Sequence, residues 1–352
     1  MGEATQIITG KRNDISDIAG LNIGAAHDEK VRTGVTLIVP HHAAVAACAV
    51  SGGGTGTRET DALKPENLVS HADAIVLAGG SVFGLEAASA LTNIMAAQGR
   101  GFPTGAALPS PIIPAAILFD MANGGNKDWA DAPPYGGLAR AAYAARNTDV
   151  QQGNFGAGYG ALAGQLKGGQ GSASACMANN AASIVGALVV ANPVGAVVDD
   201  DGRFFAQPLA MQQNGALEFG HASRAGEAAQ IGGQHPFANS KLSGLAPMQN
   251  TSIGVVAVAA DLSVAEARRL AIMAQDGLAR AIRPVHTPFD GDTIFVLATG
   301  EHKLAGEAAA RPAALAVLGA LAADCVARAV ARAVWQAQTL GDMICYHEQF
   351  KP

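Results

Sequence analysis

The chain has 352 residues, 49% of them hydrophobic and only 15% charged, and a net charge of −6 at pH 7. That length suits one large α/β domain or two small ones, with enough chain for a substantial core. The acidic balance, with no Lys/Arg cluster to neutralise phosphates, excludes a nucleic-acid partner.

Low charge with many Ala and Gly implies surface buried between subunits, so a homo-oligomer is expected. Cys48, Cys176, Cys325 and Cys345 lack CxxC spacing and read as reduced packing residues. Residues 1–14 contain no signal-peptide core. The most apolar run, near residue 320, is interrupted by Arg311, Asp324, Arg328 and Arg332. No membrane span and a cytoplasmic location are therefore expected.

In chain order, residues 14–24, 33–40 and 43–50 read as strands, with His41 and His42 in a solvated turn. The Gly-rich loop 51–61 lacks the lysine of a phosphate loop; its glycines suit close backbone approach to a ligand or another strand. Residues 74–88 read as strand, tight turn and helix. Ser81 there resembles a nucleophile elbow, but Gly84 comes one residue late and no His/Asp pair accompanies it. Gly80 and Ser81 suit a structural or substrate loop at a helix N-terminus with free N–H groups. A strand is expected around 112–119, a short helix over 138–146, and two strands over 167–174 and 182–190, with Lys167 and Asn192 at their edges.

Residues 199–250 read as a polar linker, long enough to need a functional reason. At Asn250-Thr251 the polarity ends abruptly, and Ile253, Val255, Val256 and Val258 begin a buried strand. A hydroxyl residue at the head of such a strand suits an N-terminal nucleophile. Cleavage before Thr251 gives one residue both a nucleophile and, in its α-amine, a general base of pKa about 8. Ser263 and Glu266 form a capping box that opens a helix to about 282. Asp290 and Asp292 stand at the entrance of a strand over 294–298, where carboxylates can orient a nucleophile or simply form a turn. Pro312 opens a final helix to about 338.

Six stretches in this order carry a family resemblance: residues 52–61, 77–88, Lys167-Gly168-Gly169, 192–195, Asn250-Thr251 and Asp290-Gly291-Asp292-Thr293. The chain resembles the L-aminopeptidase/D-esterase and β-peptidyl aminopeptidase family of N-terminal-nucleophile hydrolases, which includes the endo-type 6-aminohexanoate-oligomer (nylon) hydrolase. The resemblance implies a four-layer αββα sandwich over a single domain, 1–352, of the type shared with ornithine acetyltransferase. It implies self-cleavage into an α chain (1–250) and a β chain (251–352), assembled as tetramers of αβ units or larger. It further implies Thr251 as nucleophile, Asn192 as oxyanion donor, Lys167 as an active-site lysine, Asp290 and Asp292 as the supporting acidic pair, and Tyr135 as nearest match to an active-site tyrosine. Thr with Asp/Asp, rather than Ser with Glu, tilts the chain toward the amide-oligomer hydrolase. Aminopeptidase action on α- or β-peptides or D-amino-acid amides and esters, and acyl transfer, are the alternatives. No metal or cofactor is implied.

Overall fold

Thr251–Ala260 is a strand buried at every position. Its alternation explains why: Ile253, Val255 and Ala257 enter one apolar cluster, while Val256, Val258 and Ala260 enter another. A period-2 strand with both faces covered needs apolar residues throughout. The strand is central in a seven-stranded sheet, ordered Ile7–Ile8, Gly169–Met177, Val185–Asn192, Thr251–Ala260, Thr293–His302, Ala44–Val50 and His71–Ala72. Thr251–Ala260 and Thr293–His302 pair in parallel. The other neighbours are antiparallel. These relations come from a computed structural model, which describes residues 6–350 apart from 179, 214, 220–234, 245–249 and 305–309.

A second sheet runs Leu21–Asp28, Thr33–Pro40, Ile75–Ala78, Ala115–Ile117 and Thr57–Arg58. Helices α1 (Glu86–Ala97) and α2 (Tyr135–Ala145) pack on its outer face, where Leu91 and Ala139 join Leu37 and Val76. Helices α3 (Val264–Ala281) and α4 (Arg311–Trp335) cover the large sheet through Leu270, Leu278, Val326 and Val330. Between the sheets lies the cluster that Ile253 enters, with Ile38 and Leu77 facing Leu188, Ile253 and Phe295. Helix, sheet, sheet, helix is the expected αββα sandwich.

The capping box at Ser263 forms, with Ser263 N–H donating to the Glu266 carboxylate at 2.8 Å. Helix α4 is long and apolar enough by composition to cross a membrane. Here it is packed against the sheet and α3, and two of its charged residues, Arg328 and Arg332, are buried inside the protein. Buried Arg328 donates through Nε and Nη2 to Glu218, the latter at 2.9 Å, through Nη2 to Asn13 Oδ1 at 2.7 Å, and through Nη1 to Ser174 O at 2.9 Å.

Glu218 corrects the reading of 199–250 as linker. A hairpin of Gln212–Gln213 with Ala216–Leu217 leads into it, and this buried ion pair ties the segment to α4. Two-residue strands are too short to leave a periodic signal. Residues 220–234 and 245–249 of that stretch lie outside the described residues. Helix α2 begins at Tyr135 rather than at 138, because Gly136 and Gly137 mask its first turn in sequence.

Candidate active site

Sheet register assembles the site. Asn192, the last residue of its strand, lies opposite Thr251, and Asn250 bridges Asp290 on the other side. Asn250 and Thr251 are buried, at 1% and 3% exposure, so the nucleophile candidate is covered by its own chain. The Asn250 carbonyl accepts a hydrogen bond from Gly291 N–H at 2.9 Å and another from the Thr251 hydroxyl. The same Gly291 N–H lies 3.1 Å from Thr251 Oγ1. One backbone donor thus addresses both the hydroxyl oxygen and the carbonyl oxygen beside it.

The acidic pair braces the turn that carries Gly291. Asp290 Oδ1 accepts from Val194 N–H at 3.0 Å, and its Oδ2 accepts from Thr287 N–H at 3.1 Å and Thr287 Oγ1 at 2.7 Å. Burial, and then the Asp292 charge, push the Asp290 carboxyl above the usual range against those three donors. Asp292 Oδ1 accepts from Ser252 N–H at 2.8 Å, while its Oδ2 meets His286 N–H at 3.1 Å and Nδ1 at 2.8 Å. Asp292 therefore holds the backbone just after Thr251, while Asp290 ties the turn that carries Gly291 to Val194. The Gly-rich loop packs on this turn: Gly54 N–H donates to Asp290 O at 2.8 Å, and a Cβ at Gly52 would stand 2.1 Å from that oxygen. Of the two uses foreseen for these glycines, the structure displays close approach to another chain segment.

Lys167 and Asn192 each stand at a strand end, as expected, and both are buried. Lys167 Nζ donates to Gly168 O at 2.6 Å and Gly158 O at 3.2 Å. Burial pulls its ammonium down to about 7 against the attraction of Asp120. Asn192 Nδ2 donates to Phe119 O at 3.2 Å, and its Oδ1 accepts from Leu162 N–H at 2.9 Å and Lys241 Nζ at 3.2 Å. The carbonyl of Asn250 is served by Gly291 N–H, while the Asn192 amide serves Phe119.

Phe119 leads to a second polar cluster. Buried Asp120 accepts from Thr33 Oγ1 at 2.6 Å and Gly80 N–H at 2.8 Å, and burial raises its carboxyl. Tyr135 OH stands 3.2 Å from Thr33 Oγ1, and burial followed by the Asp120 charge raises its phenol strongly. Gly80, at φ +83°, passes so close to Tyr135 that a Cβ would fall 1.9 Å from the hydroxyl. Ser81 N–H donates to Leu118 O at 2.9 Å. The Gly80 and Ser81 N–H groups are thus both bonded within the protein.

Residues 13–344 match the pattern of Peptidase family S58. The chain belongs to that family. It is 41% identical to an uncharacterized aminopeptidase of Mycobacterium bovis, over 96% of this chain and 98% of that one. It is 28% identical to the 6-aminohexanoate-oligomer endohydrolase of a Kocuria species, over 92% of this chain and 87% of the relative. A solved Burkholderia beta-aminopeptidase superposes with a TM-score of 0.68 at 21% identity, covering 97% of this chain and 92% of its own. The L-aminopeptidase D-Ala-esterase/amidase of Ochrobactrum anthropi, described as a variant of the Ntn-hydrolase fold, gives 0.64 at 21% identity over 94% and 88%. This S58 chain is a peptidase or amidohydrolase with an Ntn-hydrolase fold. Over the whole sequence, identity is higher to the mycobacterial relative than to the oligomer hydrolase.

Sequence reasoning missed four groups here: Gly291 as a donor, His286, Asp120 and Lys241. Gly291 lies inside a quoted motif, but an N–H direction has no sequence signature. His286 precedes Asp292 by six residues in a turn, a spacing common to many turns. Asp120 and Lys241 sit in stretches without periodicity.

Proposed function

We propose that Thr251 is the nucleophile of a self-processing amide hydrolase acting on oligomers of amino acids or ω-amino acids. The observation that carries this is the Thr251 hydroxyl bonded to the Asn250 carbonyl, with Gly291 N–H on the same oxygen at 2.9 Å. Attack of Oγ1 on the Asn250 carbonyl carbon moves charge onto an oxygen that already has a donor, where a buried hydrogen bond helps most. The hydroxyl proton passes to the Thr251 nitrogen as the C–N bond breaks, leaving an ester. Water adds to the ester and its C–Oγ1 bond breaks, giving an Asn250 carboxylate and a Thr251 with free hydroxyl and amine. The products are residues 1–250 and 251–352.

In turnover the freed amine accepts the Oγ1 proton while the hydroxyl attacks a substrate amide. The proton goes to the departing amine, and water hydrolyses the acyl-enzyme. Asp290 and Asp292 hold the strand entrance, and Lys167, Asn192 and Tyr135 are proposed to line the site by family resemblance. Because Asn250 now occupies the acyl position, turnover requires cleavage first.

The Thr251 and Asp290/Asp292 pattern supports an ω-amino-acid oligomer as substrate. The 41% identity to a mycobacterial aminopeptidase favours a second reading, release of N-terminal residues from α- or β-peptides. Product analysis on 6-aminohexanoate oligomers and on short peptides separates them, and an added amine acceptor that raises turnover would favour acyl transfer. Low charge with many Ala and Gly supports an oligomer of αβ units, which native mass spectrometry checks. Intact-mass analysis tests the nucleophile: wild type and Thr251→Ser are expected as two chains, Thr251→Ala as one. Cleavage of Thr251→Ala at the same bond would refute the proposal.

A further inference from the structure

Among the described residues of the stretch before the junction, Lys241 reaches both Asn250, which precedes the nucleophile, and Asn192, its neighbour across the sheet. Lys241 opens the short 3-10 turn Lys241–Gly244, and its backbone N–H donates to Val194 O at 3.0 Å. Its stem is half-buried, and its Nζ points inward to three oxygens: Asn192 O at 3.3 Å, Asn192 Oδ1 at 3.2 Å, and Asn250 Oδ1. An ammonium carries three donors, so its complement is complete. We propose that Lys241 is a positioning residue for cleavage of the Asn250–Thr251 bond, a clasp that works on the uncut chain. The proposal rests on the reading of Thr251 as a self-processing nucleophile.

The clasp joins Asn192, the sheet partner of Thr251, to Asn250, the owner of the scissile carbonyl. Asn250 is thereby held at two ends, its side chain by Lys241 and its carbonyl by Gly291 N–H. Two fixed points restrict rotation of the carbonyl relative to Thr251 Oγ1, and misplacement of reacting atoms by about 1 Å can cost about a hundredfold in rate. Lys241 does not touch the reacting atoms; it acts through Asn250.

Among the described residues, Asp290 is the charged group facing the ammonium, and Asn192, Asn250 and Val194 beside it are neutral. Burial brings Lys241 down to about 7 against the pull of Asp290. The protonated form, with three donors, prevails below that pH. As pH rises through it, one donor is lost and the clasp loosens.

The test is a time course of cleavage by intact mass on freshly synthesised full-length chain, comparing wild type with Lys241→Met and Lys241→Gln. Both variants are expected to cleave about ten to a hundred times more slowly than wild type at or below neutral pH. The ratio of wild-type to variant rates is expected to shrink from about pH 6 to about pH 9. A folded Lys241→Met or Lys241→Gln chain that cleaves at the wild-type rate overturns the proposal. So does a slowing by the same factor at every pH, which marks a role in folding alone. Wild type that remains one uncut chain overturns the underlying self-processing reading instead, so the two failures are distinct.

Discussion

Replacing Gly291 by Ala puts a methyl group into the space between the nucleophile and the Gly-rich loop. A Cβ at this position would stand 2.7 Å from Thr251 Oγ1, 3.2 Å from Thr251 Cγ2 and 2.8 Å from Gly54 O. Ordinary carbon contacts begin near about 3.5 Å, so Thr251 or the turn must retreat by roughly 0.8 Å. The Gly291 φ lies outside the left-handed region, so the substitution adds crowding without backbone strain and keeps the N–H. Scaling from the about hundredfold loss for a 1 Å misplacement, self-cleavage should slow about ten- to a hundredfold. The assay is the fraction of cleaved chain against time by intact mass, with a thermal melt as control for folding. A folded Gly291→Ala chain that cleaves as fast as wild type would refute the geometry assigned to Gly291 and Thr251.

Other expectations follow from the same contacts. Arg328→Met leaves the Glu218 carboxylate buried without its main partner and should cost about 3–5 kcal/mol in denaturant unfolding. Burial alone would raise Glu218, but the hydrogen bonds and charge of Arg328, with Asn13 and Arg332, hold it below the usual range. That contribution is present above the ordinary carboxylate pKa and lost as pH falls through the depressed one, so an acid titration of wild-type stability should steepen there and the slope should shrink in Arg328→Met. Gly80→Ala collides with Tyr135 at a positive φ and should lower stability by about 1–3 kcal/mol, whereas Ser81→Ala should retain cleavage and turnover. Loss of both in folded Ser81→Ala would reopen the serine-elbow reading. Gly137→Ala, on α2 with nothing within 4 Å of the new Cβ, should raise stability by up to about 1 kcal/mol in the same unfolding assay.

The layered fold was legible because its signals are local. Ile253, Val255 and Val258 announce a strand covered on both faces, Ser263 and Glu266 announce the start of α3, and the glycines of 51–61 announce close backbone contact. The family motifs set Asn192, Thr251, Asp290 and Asp292 in one list, and the sheet order brings them to one place. The hairpin before Glu218 was not legible, since two-residue strands have no period to read. The early start of α2 was hidden by two glycines of low helix propensity, of which Gly136 packs closely against Glu86.

What the chain alone determined is which residue types stand at the strand entrance and that a hydroxyl heads a buried strand. Only the tertiary structure decided which donors reach it. Gly291 N–H meets Thr251 Oγ1 across 40 residues of sequence, because parallel pairing of Thr251–Ala260 with Thr293–His302 lays their entrances side by side. Lys241 reaches Asn192 across 49 residues, and Arg328 reaches Glu218 across 110. Patterns of burial repeat every two or 3.6 residues and can be read along the chain. The direction of a single buried donor depends on which strands are neighbours, and no local spacing encodes it.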